Sequence, residues 1–265
     1  MHRSSPTGPR ITPRQVQHRD PPPREVPQPR IKAHPQHGIF KPSLWSVVIF
    51  VLLMSGVGIR AYRDLSRPGA WEYSRETFGK PTMKSMVIPN LDIDGPARGR
   101  RALAISGDIG QASASWFHDQ LEKARLSPGD VILLSSDGGS LYPASIMGET
   151  IRARKLATMV GIADGSGYVR AASCASACVL VFAGGETRYG IHGSLLGVHR
   201  FTVDGPVEDP VAEGQRTQGK LLGYMTKMGV SSRIVELMSQ TSNIRWLNPR
   251  DALAMNLITT PLDRP

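Results

Sequence analysis

Seventeen residues without a charge, Ser43 to Ile59 (SLWSVVIFVLLMSGVGI), split this chain of 265 residues into two parts of different composition. At the helical rise of 1.5 Å per residue the run covers about 26 Å, the short end of what a bilayer core requires. Trp45 lies near one end and Tyr62 beyond the other, where amphipathic rings suit the two interfaces, and Arg60 can extend its charge toward water. A buried core helix is the bland alternative, but it fits poorly with an unbroken apolar run beside a polar, basic flank. A cleaved signal peptide is another. Its charged leader is normally far shorter than 42 residues, and no clear A-x-A site follows. We expect an uncleaved transmembrane signal anchor over residues 43–62.

Residues 1–42 contain ten prolines and eight Lys/Arg against Asp20 and Glu25. Such a segment buries too little apolar surface to offset its ordering entropy and is expected to be disordered. It carries six of the ten net positive charges of the chain. Without interleaved aromatics before Phe40, that charge suits anionic lipid headgroups better than nucleic acid, which we do not expect as a partner. Near the membrane the basic residues nearly balance, with Arg24, Arg30, Lys32 and Lys41 before the span and Arg60, Arg63, Arg67 and Arg75 after it. The positive-inside rule leans toward a cytoplasmic tail, which puts the folded part outside the inner membrane, in the periplasm. Cys174 and Cys178 are the only two cysteines, a pair that an oxidising compartment tolerates.

Residues 63–100 read as a connector with mixed charge and Pro/Gly punctuation, holding at most a strand around Met86–Ile88. From 101 to 265 the pattern alternates. Strands are expected at Ala102–Ser106, Asp130–Ser135, Ala157–Ile162 and Ser194–His199. Helices are expected at Ser113–Ala124, Leu141–Ala153, Ser176–Ala183, Glu213–Lys227, Ser232–Ser239 and Pro249–Asn256. Strand–helix alternation predicts an α/β domain with largely parallel strands, and chemistry in such sheets collects at the strand C-termini. Asp137-Gly138-Gly139-Ser140 and His199 fall there.

Ser176 lies between the two cysteines, in Ser173-Cys174-Ala175-Ser176-Ala177-Cys178. A serine hydroxyl needs a neighbouring base to act as a nucleophile, and a helix start beside it would favour developing negative charge. A plain helix-capping serine is the alternative. His199 ends an apolar run and is the candidate base; a satisfied structural histidine is the alternative. Two thiols four residues apart, with no His or Asp ligands nearby, do not suggest a metal. They read either as small buried hydrophobes or as a disulfide fixing the serine turn, feasible only if Cys174 precedes the helix. No cofactor motif is present.

At these residues the chain resembles the Clp protease proteolytic subunit of the ClpP/crotonase superfamily, and more closely the ClpP-like predicted periplasmic proteins. The similarity runs from about Arg101 to Thr259. It rests on the strand before Gly107, the strand into Asp137-Gly138-Gly139-Ser140, the Ala175-Ser176-Ala177 turn followed by Ala183-Gly184-Gly185, the His199 strand, and Trp246-Leu247-Asn248-Pro249-Arg250-Asp251-Ala252-Leu253 with Asn256-Leu257-Ile258. The resemblance implies a spiral of ββα units, Ser176 as nucleophile, His199 as base, and an oxyanion hole from the backbone N–H groups of Gly139 and Ala177. It also implies a homo-oligomer acting on peptide or protein substrates. The chain departs from the family at the third triad position. Ile244 stands where an aspartate is usual. Asn243, one residue earlier, is the candidate to orient the imidazole; Asp204, Glu208 and Asp209 would have to fold back to reach it.

Three functions follow in order: a membrane-anchored serine peptidase with a Ser–His dyad or incomplete triad, a catalytically inactive binding or assembly module on the same scaffold, and a crotonase-type acyl-CoA enzyme. The last needs no serine nucleophile and finds no coenzyme A outside the inner membrane.

Overall fold

A computed structural model describes residues 43–67, 69–202 and 208–262. The basic tail expected over 1–42 and Asp204 lie outside the described residues. The described residues divide between Ser55 and Gly56 into two units. The apolar run is helical, as α1 (Leu44–Leu65), 22 residues with a mean hydropathy of 2.0 and no buried side chain. By length and composition it is a candidate membrane span, three residues longer at its end than the sequence suggested.

The rest is a mixed α/β fold. Its main sheet has six strands in the order β1-β2-β3-β4-β8-β11: β1 (Met83–Ile88), β2 (Ala102–Gly107), β3 (Val131–Ser135), β4 (Ala157–Val160), β8 (Arg188–Ile191) and β11 (Thr260–Leu262). All neighbours from β2 to β11 pair in parallel; β1 runs antiparallel to β2. A second sheet, in the order β10-β9-β7, joins β7 (Ser173–Ala175), β9 (Leu195–Val198) and β10 (Arg245–Leu247). Two short strands, β5 (Ile162–Ala163) and β6 (Val169–Arg170), form a hairpin. The helices are α2 (Ala70–Phe78), α3 (Ser113–Ala124), α4 (Leu141–Ala153), α5 (Cys178–Ala183), α6 (Pro210–Lys227), α7 (Arg233–Gln240) and α8 (Pro249–Ala254).

The continuous apolar run of β3 is explained by burial on both faces. Ile132 and Leu134 face a large core with Phe117, Leu121, Met147, Ile151 and Phe182. Val131 and Leu133 face a smaller one with Ile88, Leu91, Met159 and Leu262. The alternation is the two-residue period of a strand. The segment 63–100, expected to be a connector, contributes α2 and β1, and β1 pairs with β2 along its whole length, from Met83↔Gly107 to Ile88↔Ala102. The strand expected over Ala157–Ile162 breaks at Gly161 into β4 and β5.

Three helix C-termini converge on two arginines. Arg152 donates to the carbonyls of Ala183, Gly184, Gly185 and Met228 at 2.8–3.2 Å. Arg188, 2% exposed, donates to Leu257 at 2.8 Å, Gly185 at 2.8 Å and Asn256 at 2.7 Å. These carbonyls close α5, α6 and α8, where the helix dipole favours a cation and the last C=O groups lack intrahelical partners. Among the described residues no carboxylate pairs with either guanidinium. Burial, reinforced by the charge of Arg152, lowers the Arg188 guanidinium to about 10. Arg188→Met leaves buried carbonyls without donors, and we expect it to lower the unfolding free energy by about 3 kcal/mol in urea titrations.

Candidate active site

β7, the turn after it and α5 form a strand–turn–helix elbow. Ser176 sits at its apex with φ 55°, the left-handed region that L-residues adopt at a cost of about 1–2 kcal/mol. That turn ends the strand at Ala175 and delays the helix to Cys178, two residues later than its apolar pattern suggested. The Ser176 N–H donates to Gly197 O at 2.9 Å, and its carbonyl accepts from Val179 N at 3.0 Å. Cys174, Ala175, Ala177 and Cys178 are buried while Ser176 is half-buried, so the elbow presents one hydroxyl to the surface. Cys174 and Cys178 are joined in a disulfide, with Cα atoms 5.3 Å apart. Cys174 belongs to β7 and Cys178 opens α5, so the bond ties the two arms of the elbow together across Ser176.

The Gly-Gly turn meets this elbow directly. Ser136, just past β3, bridges Cys174: its N–H donates to Ser173 O at 3.1 Å and its carbonyl accepts from Ala175 N at 3.0 Å. Its hydroxyl accepts from Gly138 N at 3.1 Å and so starts the turn. Gly138 and Gly139 have φ of 108° and 131°. A Cβ on Gly138 would lie 2.7 Å from Ser176 Cβ and 2.8 Å from Ala175 O, so only glycine lets the turn approach.

On the far side Ile109 donates to Gly138 O at 2.8 Å and accepts from Ser140 N at 2.7 Å. In this parallel bridge Gly139 is the residue whose own N–H is directed away from Ile109. Among the described residues the N–H groups of Gly139 and Ala177 have no acceptor. Ala177 is fully buried, and a buried donor left without a partner is rare outside functional sites.

His199 follows β9. The register pairs Ala175 with Gly197, which brings the end of β9 beside the elbow, and Arg200 N donates to Thr241 O at 2.8 Å. Ser176 and His199 both line one cleft of about 550 Å³, with Gly139, Leu141, Leu180, Phe201 and, from α6, Lys220, Leu221 and Tyr224. Tyr224, missed in the sequence, donates its phenol to Leu180 O at 2.6 Å, and burial raises its pKa well above the usual range. It enters where Gly148 has no side chain: a Cβ there would meet its hydroxyl at 1.9 Å.

Asn243 is exposed and makes no side-chain hydrogen bond among the described residues. Extending the β9–β10 register from Arg245↔Val198 sets Ile244, not Asn243, opposite His199. Asp209 is used elsewhere, capping α6 by accepting from Ala212 N at 3.0 Å, and Glu208 is exposed. No side-chain hydrogen bond joins Ser176 Oγ to His199 among the described residues. The described residues hold no cluster of three or more His, Cys, Asp or Glu able to bind a metal.

No family model matches this chain, and no curated protein matches it. Among solved structures the chain is similar to a point mutant of ClpP1 from Listeria monocytogenes, at 17% identity and a TM-score of 0.48, covering 62% of this chain and 91% of that one.

Two outcomes test this local geometry. Reducing the disulfide, or Cys174→Ser with Cys178→Ser, should cost about 2 kcal/mol of stability, the loop-closure value for so short a ring, measured by urea unfolding with and without reductant. Gly138→Ala should cost more, because the added methyl displaces the Ser176 elbow; the thermal midpoint should fall further than in the cysteine variant.

Proposed function

We propose that this chain is a membrane-anchored serine hydrolase of the ClpP-like kind, acting on a peptide or protein substrate. The observation that carries the reading is the pair of N–H groups, Gly139 and Ala177, that lack acceptors among the described residues, together with the left-handed Ser176. Ser176 Oγ attacks the carbonyl carbon while His199 takes the hydroxyl proton. The carbonyl oxygen, now negative, accepts from the two backbone donors, which are fixed before reaction and need no reorganisation. Collapse of the tetrahedral species expels the amine, which receives the proton from His199, and leaves an acyl-Ser176 that water hydrolyses by the same route.

The finer parts of the reading rest on the sequence. The landmarks from Arg101 to Thr259 support the ClpP-like fold and a homo-oligomer. The apolar helix α1 supports a single pass through the inner membrane. The basic tail supports a cytoplasmic N-terminus, and a Cys174–Cys178 disulfide suits a periplasmic domain. Without an aspartate to orient His199 the reading is a Ser–His dyad; the exposure of Asn243 and its lack of a side-chain hydrogen bond among the described residues support leaving it out of the dyad.

A second reading has its own observation. The imidazole has neither a hydrogen bond to Ser176 nor a carboxylate partner among the described residues, which suits a catalytically inactive binding or assembly module on the same scaffold.

Labelling of the full chain in detergent with a fluorophosphonate separates the two. The first reading predicts labelling at Ser176, abolished in Ser176→Ala and reduced at least about a hundredfold in His199→Ala, the scale of a general-base contribution. Asn243→Ala should stay within about threefold of wild type. A folded wild type that takes no label selects the binding module.

A further inference from the structure

None of the α2 residues enters the cleft, yet one of its side chains reaches the segment 109–112 that braces the Gly-Gly turn. Glu76 Oε2 accepts the Ala112 N–H at 2.8 Å. The same carboxylate lies directly over Gly110, where a Cβ would fall 2.3 Å from both oxygens. Ala112 precedes the first turn of α3, so the carboxylate sits at the positive end of that helix and its hydrogen bond is charge-assisted. Tyr73, one turn earlier on α2, approaches Ser115 with its hydroxyl at 3.4 Å.

The other side of the same segment holds the site. Ile109 brackets Gly139 through its bonds to Gly138 O and Ser140 N, at 2.8 Å and 2.7 Å. Gln111 Nε2 donates to Ser140 Oγ at 3.0 Å. Residues 109–112 are therefore clamped between Glu76 on one side and residues 138–140 on the other. A shift of Gly110 and Ala112 moves Ile109, and a shift of Ile109 reorients the peptide that ends in the Gly139 N–H.

We propose that Glu76 is a positioning residue for the oxyanion turn, acting through Gly110, Ala112 and Ile109 on the Gly139 N–H. This role rests on the reading of Ser176 as nucleophile. It gives α2 a function that a connector lacks. Only residues 66–69 separate α2 from α1 in the chain.

The test compares full-length wild type, Glu76→Ala, Glu76→Gln and Gly110→Ala in the same detergent, by two readouts. Amide hydrogen exchange is followed in peptides covering 109–112 and 138–140, with β3 and β4 as internal controls. The rate of fluorophosphonate labelling at Ser176 is measured on the same samples. Glu76→Ala should speed exchange in both peptides and slow labelling about tenfold, short of the 10²–10³ lost when an oxyanion donor is removed outright. Glu76→Gln keeps an oxygen that accepts from Ala112 N–H and should stay within about threefold of wild type. Gly110→Ala, which pushes the carboxylate away, should behave like Glu76→Ala.

Labelled wild type together with unchanged exchange and labelling in Glu76→Ala would overturn the role of Glu76 and leave the nucleophile standing. Faster exchange at the β3 and β4 controls as well would overturn it too, as general destabilisation. A wild type that takes no label would overturn the nucleophile reading and this role together.

Discussion

A backbone bridge through Ser136 joins the two sheets. Ser136 leaves the main sheet at the end of β3 and, through its own N–H and carbonyl, pairs with Ser173 and Ala175 in the second sheet. The Gly-Gly turn follows β3 of the first sheet; the elbow and His199 follow β7 and β9 of the second. This bridge sets the start of the Gly-Gly turn beside the strand that leads into Ser176. With it, Gly138 is pressed against Ser176 at a separation that excludes any side chain. Both hydrogen bonds come from the backbone, so the registration depends on chain path rather than on any rotamer, and the Ser136 hydroxyl adds the turn that follows.

The elbow is held at both ends. At its start the disulfide and the β7–β9 pairing fix Cys174 and Ala175. At its end the carbonyls of Ala183, Gly184 and Gly185 are taken up by Arg152 and Arg188. Along its length α5 is entirely buried, and Leu180 accepts the phenol of Tyr224. A short helix gains little from its own hydrogen bonds, so this one is stabilised by what surrounds it. A left-handed serine persists only where neighbours over-determine it, and these contacts supply that constraint. The two arginines also explain why α5, α6 and α8 end at one place: each helix brings orphan carbonyls, and two guanidiniums with several donors apiece satisfy all of them.

What the sequence made legible is local. α3 and α4 begin and end where their helical spacing predicts, because a helix that buries one face carries its own signal. The Gly-Gly turn at the end of β3 was legible for the same reason: a strand buried on both faces stops at residues that cannot continue it. The non-local features were hidden. β8 and β11 lie side by side although Tyr189 and Thr260 are far apart in the chain, and neither has an alternating pattern. α2 does not stand out in the sequence, because its hydrogen bonds to the body are polar contacts through Glu76 and Tyr73 rather than an apolar face. Nothing in Ala175-Ser176-Ala177 announces a left-handed residue; that conformation is held by Gly138, Gly197 and the disulfide. The roles of Gly139 and Ala177 came from resemblance, and the structure adds that both N–H groups have no acceptor among the described residues.

The central claim is that Gly139 and Ala177 are set to receive the oxygen of an acyl group bound to Ser176. A crystal structure of the fluorophosphonate adduct tests it most directly. The account predicts phosphorus bonded to Ser176 Oγ, with its phosphoryl oxygen within about 2.7–3.1 Å of both the Gly139 and the Ala177 nitrogens. An adduct on another residue, or a phosphoryl oxygen turned to solvent away from those two donors, would contradict it.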